Sequence, residues 1–281
     1  MFIHSCLFFS LKFFLRISNL NIRIVSMVKF SANLGFLWTD RPLPEAIIAA
    51  RKAGFQAVEC HWPYEFDASQ IADILAQTGL PMLGLNTRKG DVANGENGVA
   101  ALPGRQEEAR TYIDEAIAYA AATNTRNVHV MAGRTDKGSH AQQTFSDNLR
   151  YATQQAAKHN ITILIEPLNH RDAPNYHLQT AEEAADIIEE VGAANLKMMF
   201  DCYHLQIMEG DLYMRAKNFM DKIGHIQFAS VPERAEPDKC ELNYPVLLPR
   251  FYEAGYHGYI GAEYKPSGAT DDSLGWMAAY A

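Results

Sequence analysis

Ile161-Thr162-Ile163-Leu164-Ile165-Glu166-Pro167-Leu168-Asn169 begins as an almost unbroken β-branched and aliphatic run and ends in a carboxylate followed by proline. Such a run suits a strand buried on both faces, as in a parallel sheet covered by helices. Proline then stops regular pairing, because it has no N–H to give the ladder. An acid at the end of a buried strand is costly unless it reaches water, is paired or binds a cation. Taken alone, Glu166 reads equally well as an acid that reaches solvent. The endings of the other strands decide between these readings.

On either side of this run the chain alternates strand with helix. Residues 28–34 (VKFSANL), 57–61, 82–87 and 127–132 read as the first four strands, and 161–166 as the fifth. Residues 196–201 (LKMMFD), 225–229 (HIQFA) and 259–264 (YIGAEY) complete the set. Between them, 43–54, 68–79, 106–123, 141–159, 180–191, 212–223 and 246–254 carry helical apolar spacing, and 273–280 can begin a closing helix. Thr180 is the expected N-cap of its helix, with Glu182 and Glu183 in the first turn. A Gly-rich excursion, 89–105, follows the third strand, and a loop of that length in a compact domain is functional or disordered. Eight strands alternating with helices predict an α/β protein, a (β/α)8 TIM barrel. The doubly wound alternative needs a Gly-rich phosphate turn after its first strand, and Asn33-Leu34-Gly35-Phe36-Leu37 is not one.

Residues 1–26 differ from the rest of the chain: they are rich in Phe, Leu and Ile, with Lys12, Arg16 and Arg23 scattered among them. Charge interrupts the apolar part, which is too short to span a bilayer, and a secretory signal would place its basic residues first. These residues are read as an extension outside the fold, and 27–281 as a single barrel domain. The composition, 48% hydrophobic and 21% charged, supplies a large core. The net charge of −8 argues against a nucleic-acid partner, and no membrane partner is expected. Cys6, Cys60, Cys202 and Cys240 are far apart and form no CxxC pair, which suits reduced thiols in a cytoplasmic protein. Assembly into a homo-oligomer stays open.

In a barrel the strand C-termini converge on one mouth. Those ends carry Glu166, Asp201, Gln227 and Glu263 on four adjacent strands. Three acids and a neutral oxygen donor are ligands for a hard divalent cation, Mg²⁺ or Mn²⁺, which would also relieve their mutual repulsion. Zinc fits less well, for want of clear His and Cys ligands. The bland alternative is four polar rim residues. His204, placed on the loop after Asp201, either touches a substrate oxygen or packs structurally. Asn86 and Arg88 end the third strand and Lys265 follows Glu263, so the two cations either hold a substrate carboxylate or pair with the acids. Trp38, Trp62 and Tyr64 either wall the pocket or pack within loops. His129 reads as a barrel-layer residue.

The segments IEPLN, FDCYHLQIMEGD, KIGHIQ, ELNYP and GAEYKP, with GDVANGENG and LPGR in the excursion, resemble the hydroxypyruvate isomerase family of xylose isomerase-like barrels. The resemblance runs from Met27 to about Trp276. It implies that Glu166 and Glu263 are the acid/base pair, and that Glu166, Asp201, Gln227 and Glu263 hold a divalent metal. The expected reaction interconverts hydroxypyruvate and 2-hydroxy-3-oxopropanoate (tartronate semialdehyde) through an enediolate. Leu85-Asn86-Thr87-Arg88 departs from a more usual His-Asn-Leu-Pro, and Lys239-Cys240 stand in place of a Gly-rich turn before Glu241. Both departures bear on substrate identity. The alternatives are a 2-oxo-tetronate isomerase or ketose epimerase with the same machinery, with residues 86–88 and Arg234 deciding, and a non-catalytic sugar-acid-binding barrel. A metal-dependent endonuclease needs several metals, many His ligands and a basic rim, and is disfavoured.

Overall fold

Eight short strands run parallel: β1 (Phe30–Asn33), β2 (Ala57–Glu59), β3 (Gly84–Asn86), β4 (Asn127–His129), β5 (Thr162–Ile165), β6 (Leu196–Asp201), β7 (Ile223–Phe228) and β8 (Ile260–Ala262). They belong to a computed structural model that describes residues 28–280. The reading of 1–26 as an extension lies outside the described residues. The hydrogen-bonded order is β2-β1-β8-β7-β6-β5-β4-β3. Between the two ends, Leu83 N–H donates to Val58 O at 2.7 Å and Cys60 N–H to Gly84 O at 3.1 Å. These bonds bring the sheet round into a nearly closed barrel, which leaves little open edge.

The helices are α1 (Leu43–Lys52), α2 (Ala68–Thr78), α3 (Gln106–Ala122), α4 (Ser139–Ala157), α5 (Ala181–Val191), α6 (Cys202–Met208), α7 (Leu212–Asn218) and α8 (Tyr244–Glu253). They cover the outside of the sheet, and Ile163, Leu164 and Ile165 of β5 are all buried, as its continuous apolar run requires. The α5 start is a capping box: Glu183 N–H donates to Thr180 Oγ1, and the Glu183 carboxylate accepts from Thr180 N–H. Residues 273–280 fall inside a 3₁₀ segment, Thr270–Tyr280. It is tied to the barrel by Trp38, whose N–H donates to Thr270 Oγ1 at 2.7 Å and whose indole donates to Asp271 at 2.8 Å.

Two elements were not expected, a 3₁₀ turn at Val92–Asn94 within the excursion and a helix after β6. Residues 202–208 form α6, so His204 stands on a helix and not on a loop. Asp201 starts it: its Oδ1 accepts Tyr203 N–H at 2.8 Å. One carboxylate therefore ends β6 and caps the next helix, leaving no room for a loop.

The excursion after β3 is ordered. Gly98 N–H donates to Lys89 O at 2.7 Å, and Ala101 N–H to Ala132 O at 2.7 Å. The segment thus lies against the end of β4. Contact is close enough that a Cβ on Gly133 would stand 2.4 Å from Gly98 O, and Gly133 has φ +99°. Only glycine meets both demands.

Candidate active site

At the barrel mouth, β5 and β6 deliver Glu166 and Asp201 to one buried place, and α6 adds His204. Ligand-capable atoms of these three residues lie within 4.8 Å of one another. Asp201 is paired in register with Gln227 on β7, which brings the amide beside it. Glu263 follows β8 directly. Of the four residues expected as metal ligands, three place a buried oxygen here without a hydrogen-bond partner: Glu166 Oε1, Asp201 Oδ2 and Gln227 Oε1. Orphaned buried acceptors are costly, and a cation shared between them removes the cost. The donor set is all oxygen, as Mg²⁺ or Mn²⁺ prefers.

Glu263 is held differently. Its Oε1 accepts from Asn33 Nδ2 and lies 2.9 Å from His61 Nε2, while Oε2 accepts from Arg234 Nη2 at 2.6 Å. A carboxylate offers about four acceptor sites, so Oε2 keeps one for a cation. Burial works to raise the Glu263 pKa, but Arg234 and His61 together hold it down at about 2. Glu166 moves the opposite way. Burial, and then the charges on Glu263 and Asp201, push it well above the usual carboxylate range. Burial also pushes Asp201 up to about 7, against the pull of Arg234. Environments that drive two carboxylates apart suit one acid and one base.

His204 faces this cluster as a donor. Its Nδ1 accepts Asn169 N–H at 3.0 Å, and the Asn169 amide nitrogen approaches the same atom at 2.7 Å. The orientation of that amide follows from its other end, since Asn169 Oδ1 accepts from the N–H groups of Arg171 and Asp172. With Nδ1 filled as an acceptor, the ring proton sits on Nε2, 3.6 Å from Asp201 Oδ2. Burial, and then Arg234, lower the His204 pKa well below its ordinary value, so the ring is neutral. A protonated Nε2 gives hydrogen bonds and does not bind metal. His129 Nδ1 lies 3.5 Å from Glu166 Oε2, but burial holds its pKa near 3, so no ion pair forms. It lines the pocket as well as the barrel layer.

Beneath the mouth lies a second buried acid. Glu59, at the end of β2, accepts from Ser31 Oγ and Gln227 Nε2, both at 2.8 Å, and lies 3.1 Å from His225 Nε2. The bond from Gln227 Nε2 settles which end of that amide is free, leaving Oε1 as the orphan. A Cβ on Gly261 would come within 2.2 Å of Glu59 Oε1, so glycine makes room for the carboxylate.

The remaining expected residues divide. Asn86 and Arg234 line the pocket, a cavity of about 290 Å³. Arg234 is held between the rings of Phe36 and Tyr203, with its side chain 11% exposed, and faces Asp201 at 3.5 Å and Asp172 at 3.6 Å, as well as Glu263. It therefore acts as a counter-ion within the cluster. Arg88 and Lys265 are not brought into the lining of this cavity. Arg88 turns outward to a two-pronged pair with Glu115, at 2.6 and 2.8 Å. Lys265 is exposed: its backbone N–H donates to Arg234 O at 2.7 Å, and its Nζ stands 5.9 Å from the centroid of the Phe36 ring, at the outer edge of the pocket wall. Trp62 walls the pocket, whereas Trp38 is buried in the core and Tyr64 packs edge-on to Tyr119.

Sequence reasoning missed Asn33, Glu59, His61, Lys89 and Asn169. For Glu59 the signal was present: AVE ends β2 in an acid as ILIE ends β5.

Comparison with known proteins adds the lineage. A family profile described as "Xylose isomerase-like TIM barrel" matches residues 47–280. The 2-oxo-tetronate isomerase of Cupriavidus necator is 44% identical over 257 residues, covering 90% of this chain and 99% of that protein. The hydroxypyruvate isomerase of Escherichia coli is 39% identical, covering 90% and 100%. A crystal structure from Brucella melitensis, described as an AP endonuclease of family 2, superposes with a TM-score of 0.87 at 42% identity, covering 90% and 99%.

Proposed function

Since the chain belongs to the xylose isomerase-like TIM barrels and, within them, to the hydroxypyruvate isomerase family of isomerases, we propose that it is a metal-assisted isomerase of a small hydroxy-oxo acid. The reaction proposed is hydroxypyruvate to 2-hydroxy-3-oxopropanoate through an enediolate, with 2-oxo-tetronate as the alternative substrate. The observation that carries this reading is the meeting of Glu166 and Asp201, each with a buried unpartnered oxygen, next to Gln227, whose Oε1 is also unpartnered and which shares a cavity lining with Glu166 and Glu263.

A divalent ion held by Glu166, Asp201, Gln227 and Glu263 would supply Lewis-acid polarisation of the substrate carbonyl and stabilise negative charge on its oxygens. The chain's own groups do the rest. Glu166 and Glu263 take a proton from the hydroxyl-bearing carbon and return one to the neighbouring carbonyl carbon, while the hydroxyl proton passes to the former carbonyl oxygen, so that no proton is gained or lost overall. His204, with its proton on Nε2, donates to a substrate oxygen. Asn169 holds that tautomer, Glu59 holds the Gln227 amide, and Arg234 offsets carboxylate charge that metal alone would leave partly uncompensated. The pocket of about 290 Å³ suits a three- or four-carbon acid.

The endonuclease description of the Brucella protein finds no support in this pocket. Among the described residues one cluster of His, Cys, Asp and Glu side chains is close enough to hold an ion, and the net charge is −8. Cys60, Cys202 and Cys240 are free thiols, in keeping with the proposed cytoplasmic setting, and no described helix is long and apolar enough to cross a membrane.

The decisive assay offers hydroxypyruvate and 2-oxo-tetronate to the protein with EDTA, Mg²⁺ or Mn²⁺. Metal-dependent isomerisation of either supports the reading. Absence of turnover on both, with metal present, overturns it.

A further inference from the structure

Two cationic side chains line the pocket, Arg234 and Lys89. Arg234 is fully committed, facing Glu263, Asp201 and Asp172. Lys89 has no carboxylate within ion-pair distance among the described residues. Its Nζ lies 3.9 Å from the centroid of the Trp62 ring, and that ring is fixed by the bond from its Nε1–H to Thr87 O at 3.0 Å. The backbone of Lys89 is fixed too, because its carbonyl accepts Gly98 N–H at 2.7 Å. Lys89 is half-buried, and that burial lowers its pKa. An ammonium partly stripped of water and without an acid gains more from an arriving anion than a fully hydrated one does.

The charge balance of the pocket gives this cation a task. Glu166, Asp201, Glu263 and the more exposed Asp172 bring four negative charges against three from Arg234 and a divalent ion, leaving nothing among them to receive a negative charge carried by the substrate itself. Arg88 is paired with Glu115, and Lys265 is exposed at the outer edge of Phe36, where water already solvates its ammonium. We propose that Lys89, braced on Trp62, is the carboxylate-binding residue of the pocket, and that it makes the site select an anionic oxo acid over an uncharged ketose. This rests on the isomerase reading for the identity of the acid, but not for the carboxylate subsite. Asn86 and Asn97 line the same wall and add neutral polar groups beside the ammonium.

The test uses the full chain in Mg²⁺ and two probes of equal size, D-glycerate and its uncharged carboxamide, glyceramide, titrated by calorimetry. The wild-type protein is expected to prefer glycerate, and Lys89→Met to reduce that preference roughly ten- to a hundredfold, the span of one charge-assisted hydrogen bond. Lys89→Arg should retain most of it. On hydroxypyruvate, Lys89→Met should raise KM by a similar factor and change kcat much less. If Lys89→Met binds glycerate as the wild type does, or if the wild type shows no preference, the proposal falls. Loss of the preference in Lys89→Met by a protein that isomerises neither acid would sustain the carboxylate subsite and overturn the isomerase reading alone. Normal isomerisation by Lys89→Met at unchanged KM would do the reverse.

Discussion

Glu166 and Glu263 are both buried carboxylates, yet their surroundings differ. One has an orphaned oxygen and like charges around it, while the other accepts from Asn33 and Arg234 and lies beside His61. If they are the proton-transfer pair, Glu166→Gln and Glu263→Gln each keep the shape and lose the base. Turnover should fall by at least about a hundredfold in each, the lower end of what a positioned acid or base contributes. Circular dichroism should show the fold retained, and near-normal rates in either variant would remove that residue from the assignment. A second residue-scale prediction concerns Gly261. An alanine Cβ would press to 2.2 Å on the Glu59 carboxylate, which is held by Ser31 and Gln227 and cannot swing away without breaking those bonds. Gly261→Ala should cost about 2 kcal/mol, as overpacking does. Denaturant unfolding would measure it, and a change below a few tenths would show that Glu59 is free to move.

Among the elements, α5 and the segment after β3 were legible to different degrees. Thr180 with Glu183 three residues on is a local signal, and the capping box formed as its chemistry dictates. Thr180→Ala should therefore lower stability by about 1 kcal/mol, read as a lower denaturation midpoint. The excursion gave only its glycines. Which carbonyl each approaches depends on residues more than thirty positions away, as with Gly98 O and Gly133. Gly133→Ala should cost about 2–3 kcal/mol through its left-handed backbone and the contact with Gly98. It should also raise KM, since Lys89 and Asn97 ride on the displaced segment; an unchanged KM in a destabilised variant would separate the loop from substrate binding. Helix α6 went unread for a related reason. Asp201 had already been read as the end of a strand and as a ligand, and its third task, receiving Tyr203 N–H, becomes evident only once the chain turns there.

At the scale of the whole molecule, the barrel brings carboxylates together that the unfolded chain keeps apart. Asp201 has a folded pKa of about 7, above its ordinary 3.8, so without metal the fold is favoured while the group is protonated. That contribution is lost as pH rises from about 4 through 7. A divalent ion needs the ionised form and thus binds better at the higher pH. Added Mg²⁺ or Mn²⁺ should raise Tm, and by more at pH 8 than at pH 5.5. At a hundredfold excess over Kd the gain is about 2.7 kcal/mol, or several degrees for a chain of this size. Equal shifts at both pH values, or none, would count against Glu166, Asp201 and Gln227 as a metal site.

The sequence by itself determined the barrel and the four strand ends, because both follow from short-range patterns. Buried runs alternate with amphipathic helices, and an acid closing a buried run is visible where it stands. Only the tertiary structure decided what each polar atom faces. It turned Arg88 to Glu115 and Lys265 to solvent, enclosed Arg234 among three acids, and left Lys89 facing the pocket. It set Glu59 beneath Gln227 and placed the His204 proton on Nε2 through Asn169. These outcomes depend on which groups meet across the barrel and on which face of a loop a side chain leaves. Both are set by closure of the sheet, through distances that no local pattern encodes.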